Sequence, residues 1–456
     1  MPSQSADPGR ATRRVFEDAP AGQGNTLLLL LAVLLPAIVA FAILYRQSIS
    51  VPYQDDYAAV LEFAVNYEQS PALKTKLLHV ATDQVNEYKL GFEHFVTASD
   101  LALTHHVNFG LLTGLGNSFL LAIAYLLWRT YQQDEQALDR RLLAFLPISL
   151  IFFSLTYWEN LNWATTDLQN IPVVFFSLLA IYLLFPGRSF GPSRLQMLLA
   201  CLSAALAACS SANGFLLGPV GLLIFLPRRA YAKSLLWCAS FALPFAAYLY
   251  HFSVPPHAVH WAVYLTRPLF FLAFLGCAIP FRWPAALLGI GMLAILELAV
   301  RTRFDRANPV AVYFAAWIIA TATLVAWVRG ALGFGLTSRY SIYSILLLIF
   351  CYSFLEHFLS SRWSLRGRKR FYVTSVVVAL MMCVLADINA YRCLSERRRM
   401  ILTGIEMYRA NPDANSPMID PRILKAYPGE DSFEQRTLTG AIQKHLYTLP
   451  PRQEVR

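Results

Sequence analysis

The chain has 456 residues, 56% of them hydrophobic and only 14% charged, with a mean hydropathy of +0.45. A soluble domain carries roughly 25% charged residues, so this composition excludes a water-soluble globule and points to an integral membrane protein. The net charge of +10 does not point to nucleic acid, because the basic residues sit in short loops between apolar runs and not on one face or in one domain.

Residues 1–25 are polar and read as a cytoplasmic tail. The first apolar run, 26–45, has no small-residue cleavage site after it and reads as a retained helix. Further runs of the kind that cross ~30 Å of hydrocarbon lie at 109–128, 142–157, 171–185, 195–212, 214–227, 234–252, 284–300, 309–328, 340–358 and 372–390. A shorter apolar piece, 268–281, follows Arg267 and closes on Pro280-Phe281-Arg282-Trp283-Pro284, which suits a re-entrant or interfacial element. The expectation is an all-α polytopic membrane protein with about 11–12 transmembrane helices. Alternate loops hold 19 and 7 Lys and Arg residues. The richer set is therefore expected to be cytoplasmic, with the N-terminus inside and residues 391–456 outside as a small extramembrane segment. Arg392 and Arg397-Arg398-Arg399 are out of keeping with that outer face. The transmembrane domain is expected over 26–390, including an outer loop, 46–108, whose apolar positions at Val60, Phe63 and Ala64 and at Leu77, Leu78 and Val85 suit juxtamembrane amphipathic helices.

Cysteine and glycine usage adds no cofactor site. None of the seven cysteines forms a CxxC pair, and six lie inside apolar segments as small buried hydrophobes. Gly110, Gly114 and Gly116 have the wrong spacing for a phosphate loop. His105-His106 point to different helix faces, and His257 with His260 lack a third ligand, so no metal site is assigned.

Four polar constellations stand against this apolar background. Asp55-Asp56 follows the first span directly. Adjacent carboxylates are costly to keep ionised, so the pair suits a general base, although Asp before Ala58-Ala59-Val60-Leu61 equally suits a helix cap. Next comes Asn86-Glu87-Tyr88-Lys89 with Glu93-His94; if this piece is helical, Asn86, Lys89 and Glu93 share a stripe. The third is Trp158-Glu159-Asn160-Leu161-Asn162-Trp163, backed by Asp167, Gln169 and Asn170. Indole faces stack on sugar C–H surfaces, and amides and acids pair with hydroxyls, so this composition suits a carbohydrate cleft as well as an aromatic belt. The fourth is Arg329 with Ser338-Arg339-Tyr340, to which Arg267 is a candidate addition. Guanidinium binds phosphate bidentately, and the competing reading is snorkelling to lipid headgroups.

In this order the four groups resemble the GT-C superfamily of membrane glycosyltransferases, above all its bacterial multi-spanning members. The resemblance covers residues 26 to about 390. It implies a bacterial inner-membrane protein with its active site facing the periplasm, a polyprenyl-phosphate-linked sugar as donor, a glycan or lipid as acceptor, membrane lipid around it and no nucleic-acid partner. Asp55 and Asp56 would be the catalytic pair. Substrate contacts would fall to Asn86, Glu87, Glu93, His94, Trp158, Glu159, Asn160, Arg329, Arg339 and Tyr340. Tyr88 and Lys89 depart from the family's His and Arg. Some members use a divalent cation (Mg or Mn) and others none, so the cofactor stays open. The other function class is a transporter or flippase for lipid-linked sugars or another polar solute, which would be expected to show repeated hydropathy halves and mid-span charges. No repeat is visible, and most charges gather at one interface.

Overall fold

The structure is a computed structural model that describes residues 23–131, 137–253, 263–329, 337–360, 362–410 and 433–451. The N-terminal tail through residue 22, His257, His260 and the polar stretch around Pro412 and Pro428 lie outside the described residues. The helices are α1 (Gln23–Gln47), α2 (Phe63–Gln69), α3 (Leu73–Thr82), α4 (Gly91–Thr104), α5 (Phe109–Tyr131), α6 (Leu138–Phe152), α7 (Ala164–Leu184), α8 (Arg194–Ser210) and α9 (Leu217–Phe225). They continue with α10 (Tyr231–Ala239), α11 (Ala242–Leu249), α12 (Val263–Leu275), α13 (Arg282–Arg301), α14 (Pro309–Arg329), α15 (Ser341–Ser360), α16 (Leu365–Ala410) and α17 (Phe433–Gln443). Among the described residues the only sheet is a hairpin of β1 (Gln84–Val85) and β2 (Tyr88–Lys89).

Nine helical stretches among the described residues are long and apolar enough to cross a membrane. Their outward faces fit that solvent: Leu28, Leu31, Leu35 and Ile38 on α1 and Val377, Met381, Leu385 and Ile388 on α16 are exposed. Apolar stripes of that length would be a liability in water. The chain is a nearly all-helical multi-pass membrane protein. The count differs from the expected 11–12 because Arg194–Ser210, Ala212–Arg228 and Thr266–Leu275 form shorter apolar helices. At 1.5 Å per residue these fall short of ~30 Å of hydrocarbon.

α7 is the pillar of the core. Ile171, Val173, Val174, Ala180, Ile181 and Leu184 are fully enclosed, and it packs against α5 on one side and α8 on the other. Gly116 on α5 makes room for a polar guest: a Cβ there would lie 2.5 Å from the Asp167 carboxyl carbon of α7. α12 doubles back on α13, and the two backbones touch. A Cβ on Gly276 would stand 1.9 Å from the Ala285 carbonyl oxygen, and one on Gly289 would stand 2.0 Å from that of Leu272. Both parts of the α12 segment lie toward one end of the molecule. Arg267 sits 4.3 Å from the Trp327 ring near the end of α14, and Ser341 donates to the Cys277 carbonyl at 2.8 Å.

The C-terminal part folds onto that same end. α16 continues without a break through residue 390, where a boundary is expected, to Ala410. α17 packs on the turn at 57–62, burying Leu438 and Ala441, and Tyr447 donates to the Ser50 carbonyl at 2.9 Å.

Candidate functional site

α1 ends at Gln47 and the chain turns sharply before the next helix. Gln54 adopts φ 47°, a left-handed conformation that side chains with a Cβ seldom take. This turn sends Asp55 and Asp56 in different directions. Asp56 is 1% exposed and accepts three hydrogen bonds: from the Tyr53 N–H at 3.0 Å, the Thr165 N–H at 2.8 Å and the Thr165 hydroxyl at 2.6 Å. It ties the turn to the head of α7. Asp55 stays half-buried, and among the described residues its carboxylate receives the Asn86 side-chain amide alone, at 3.3 Å. A single π-helical turn, Tyr57–Glu62, follows at once, a form that is rare and often accompanies functional sites.

Asn86 reaches Asp55 from a hairpin, not from a helical stripe. Val85 pairs with Tyr88, leaving Asn86 and Glu87 as the turn, with Asn86 at φ 51°. Asn tolerates that conformation better than most residues. The expected grouping of Asn86, Lys89 and Glu93 on one helix face is therefore corrected. The Lys89 ammonium turns away to the carbonyls of Thr82 and Tyr250, and Glu93 lies on α4. Glu87 forms an ion pair with Arg329, whose guanidinium also donates to the Tyr88 hydroxyl at 2.7 Å.

The third and fourth constellations interlock across about 180 positions of sequence. Glu159 accepts from the Ser338 hydroxyl at 3.0 Å and the Arg339 N–H at 3.2 Å. The Glu159 N–H donates to the Ser338 oxygen at 3.2 Å. Asn160 is wholly buried, donates to the Arg339 carbonyl at 2.8 Å and accepts from Asn170 at 3.1 Å. These contacts fix the Ser338–Tyr340 turn, from which Arg339 acts electrostatically on Asp55 more strongly than Arg329 does. Tyr340 packs on Phe274 with ring centroids 5.3 Å apart. Residues 330–336, between the two arginines, lie outside the described residues.

Sequence reasoning did not assign Arg397 a role here. Its guanidinium carbon lies 4.4 Å from the Tyr53 ring and 4.6 Å from the Trp158 ring. Trp163 in turn meets Tyr53 edge-on at 5.5 Å. Trp158 and Trp163 are thus engaged by protein groups. The available signal was the run of arginines at 397–399 on a face otherwise poor in them. Thr165, which holds Asp56, carries no such signal because threonine is common near helix starts.

The electrostatics separate the carboxyls further. Burial pushes Asp55 above its ordinary value, opposed by Arg339, the Asn86 amide and Arg329. Burial raises Asp56 to about 7, with its Thr165 and Tyr53 donors working against the rise and the Asp55 charge adding to it. Glu93, enclosed beside Thr165 and Asp56, is raised well above its ordinary value, chiefly by burial. His94 is enclosed too, stacked on Phe63 at 4.3 Å, and burial lowers it to about 3. Glu93 and His94 therefore stand behind the cluster, while Asp55, Asn86, Glu87, Arg329 and Arg339 stand within it.

Among the described residues no three His, Cys, Asp or Glu side chains are grouped to hold a metal ion. Two carboxylates of the cluster are already engaged by the protein: Glu87 pairs with Arg329, and Glu159 accepts from the Arg339 N–H. No family model, curated protein or solved structure matches the chain.

Proposed function

We propose that the chain is a GT-C-type membrane glycosyltransferase that moves a sugar from a polyprenyl-phosphate carrier to a hydroxyl of a glycan or lipid. In this reading it works at the periplasmic face of a bacterial inner membrane. One observation carries the reading: four polar constellations far apart in sequence meet around a single half-buried carboxylate, Asp55, with Asn86 on it and two arginines acting on its charge. Asp55 accepts the proton of the acceptor hydroxyl as that oxygen attacks the anomeric carbon. The new C–O bond forms as the bond to phosphate breaks, with inversion, and the departing charge falls to Arg339. A carboxyl raised above its usual value is a better base than a fully solvated one. Arg329, clamped by Glu87 and Tyr88, sets the local field and supports the geometry. Asp56 acts by holding the turn.

The test is transfer of labelled sugar from a panel of polyprenyl-phosphate donors by protein purified in detergent. Removal of a general base costs about 10²–10⁴-fold, so Asp55→Asn should lose transfer by that factor while retaining its fold. Wild-type transfer rates in Asp55→Asn would overturn the assignment. Donor movement across vesicles without any transfer would replace the enzyme by a flippase.

A further inference from the structure

At the end of the molecule away from Asp55, where most of the basic loops gather, two cavities adjoin between the helix ends. One, of about 180 Å³, is bordered by Arg188, Asn308 and Glu356. The other, of about 160 Å³, is bordered by Arg303 and Arg362. Phe304 and His357 belong to both and form the wall between them, with ring centroids 5.2 Å apart. Each cavity is several times the ~30 Å³ that a water molecule occupies in the liquid, so each has room for a phosphate and its first ester carbons.

Two other arginines at this end are engaged by the protein itself. Arg228 donates to the Ile224 carbonyl and to the Tyr313 hydroxyl at 3.3 Å, and Arg301 pairs with Glu297 at 2.7 Å. Arg188, Arg303 and Arg362 form no ion pair with any described residue. Arg362 rests on the Phe358 ring at 3.9 Å, which fixes its plane. The carboxylate of the site, Glu356, is buried and takes the Tyr372 hydroxyl at 2.7 Å, so part of its charge is met within the protein. Three arginines from three separate loops border the adjoining cavities, Arg188 the first and Arg303 and Arg362 the second. Snorkelling alone sends arginines outward singly; basic pockets between membrane helices recognise phosphate headgroups.

We propose that these joined cavities bind a phosphate ester, its oxygens taken by the guanidinium forks of Arg303 and Arg362 with Arg188 across the Phe304–His357 wall. The chemistry is shared by a phospholipid headgroup and a soluble phosphate ester, and the source is settled by the probe used.

Full-length protein in neutral detergent would be titrated with phosphatidylglycerol, with diacylglycerol as the phosphate-free control, and with glycerol phosphate. Thermal stability and native mass spectrometry would be the readouts. Phosphatidylglycerol should bind and raise Tm, and diacylglycerol should not. Arg303→Gln, Arg362→Gln and Arg188→Gln should each weaken binding about tenfold, the factor that corresponds to ~1.4 kcal/mol. The ligand-free Tm of Arg303→Gln and Arg188→Gln should match the wild type, because neither breaks an ion pair, whereas Arg362→Gln also gives up its contact with the Phe358 ring and is compared with its own ligand-free Tm. A response to phosphatidylglycerol alone assigns a lipid headgroup, and an equal response to glycerol phosphate assigns a soluble ester. Equal stabilisation by diacylglycerol, absence of binding by both phosphate esters, or undiminished binding in all three variants overturns the proposal.

Discussion

The two ends of the molecule handle charge in opposite ways. At the Asp55 end, charged groups reach for one another or for fixed dipoles: Asp56 takes three donors, Glu159 takes the 338–339 turn, Glu87 takes Arg329, and Arg397 lies between two aromatic rings. At the other end Arg188, Arg303 and Arg362 border open space with no ion-pair partner among the described residues. Charge that is paired internally fixes geometry, whereas charge left at a rim is available to something outside the chain. By that criterion most acidic residues at the Asp55 end are architecture. Asp55 and Arg339 keep capacity for a substrate.

The strongest way to break this contrast is at Asp56. Asp56→Asn sets an amide N–H₂ against at least one of three donors, and an unsatisfied buried group costs about 1–3 kcal/mol. The variant should melt earlier while its folded fraction keeps transfer activity, the reverse of Asp55→Asn. A fully stable but inactive Asp56→Asn would show that both carboxyls take part in the reaction. The same residue gives a pH signature. The folded state holds the Asp56 proton up to about pH 7, whereas an unfolded aspartate releases it near pH ~4. Between those values the folded state binds more protons, so the Asp56 contribution to stability falls as pH rises through the window. His94, held neutral down to about pH 3, works in the opposite sense, and Glu93 in the same sense as Asp56. The measurement is therefore the difference in Tm between wild type and Asp56→Asn from pH 4 to 7. That difference should shrink as pH rises. A difference that stays flat would mean Asp56 is ionised throughout.

A smaller effect is expected at Glu87 and Arg329. The pair is partly shielded, with side chains 21% and 16% exposed, so its coupling should fall between the ~0–1 kcal/mol of surface pairs and the 3–5 kcal/mol lost on breaking buried ones. A double-mutant cycle with Glu87→Gln and Arg329→Met, read by thermal unfolding, should return about 1–2 kcal/mol. Zero coupling would mean that Glu87 does not hold Arg329 in place, which would return Arg329 to the substrate side of the contrast.

Much of this arrangement was legible from residue order alone. The long apolar runs define a multi-pass membrane protein, and the four polar constellations hold the side chains that the fold brings near Asp55. Roles within the constellations were less accessible, because they depend on which way a backbone turns. Nothing in the letters of Asp55-Asp56 separates them; the positive φ of Gln54 and the donors of Thr165, some 110 residues away, do. Asn86 to Lys89 has the spacing of a helix stripe, and only the Val85–Tyr88 pairing turns it into a hairpin tip. The basic end was legible as topology but not as a pocket, because its three arginines come from loops whose meeting depends on helix packing.

Arg397 offers the finest test, because it joins α16 to both Tyr53 and Trp158 without belonging to a sequence constellation. Two aromatic faces around one guanidinium act through planar stacking and charge together. Arg397→Met removes the charge and keeps the stem, and should cost about 1 kcal/mol in unfolding experiments, at the lower end for a shielded cation–π contact. Arg397→Lys keeps the charge but loses the planar face, and should recover less than half of that. Both should lower transfer only modestly, since neither removes the base or its nearest arginine. If Arg397→Met left stability unchanged but raised KM for the donor sharply, the guanidinium would be binding substrate through its free edge. Its place would then be beside Arg339, and the paired end of the molecule would have one more group open to ligand than its contacts indicate.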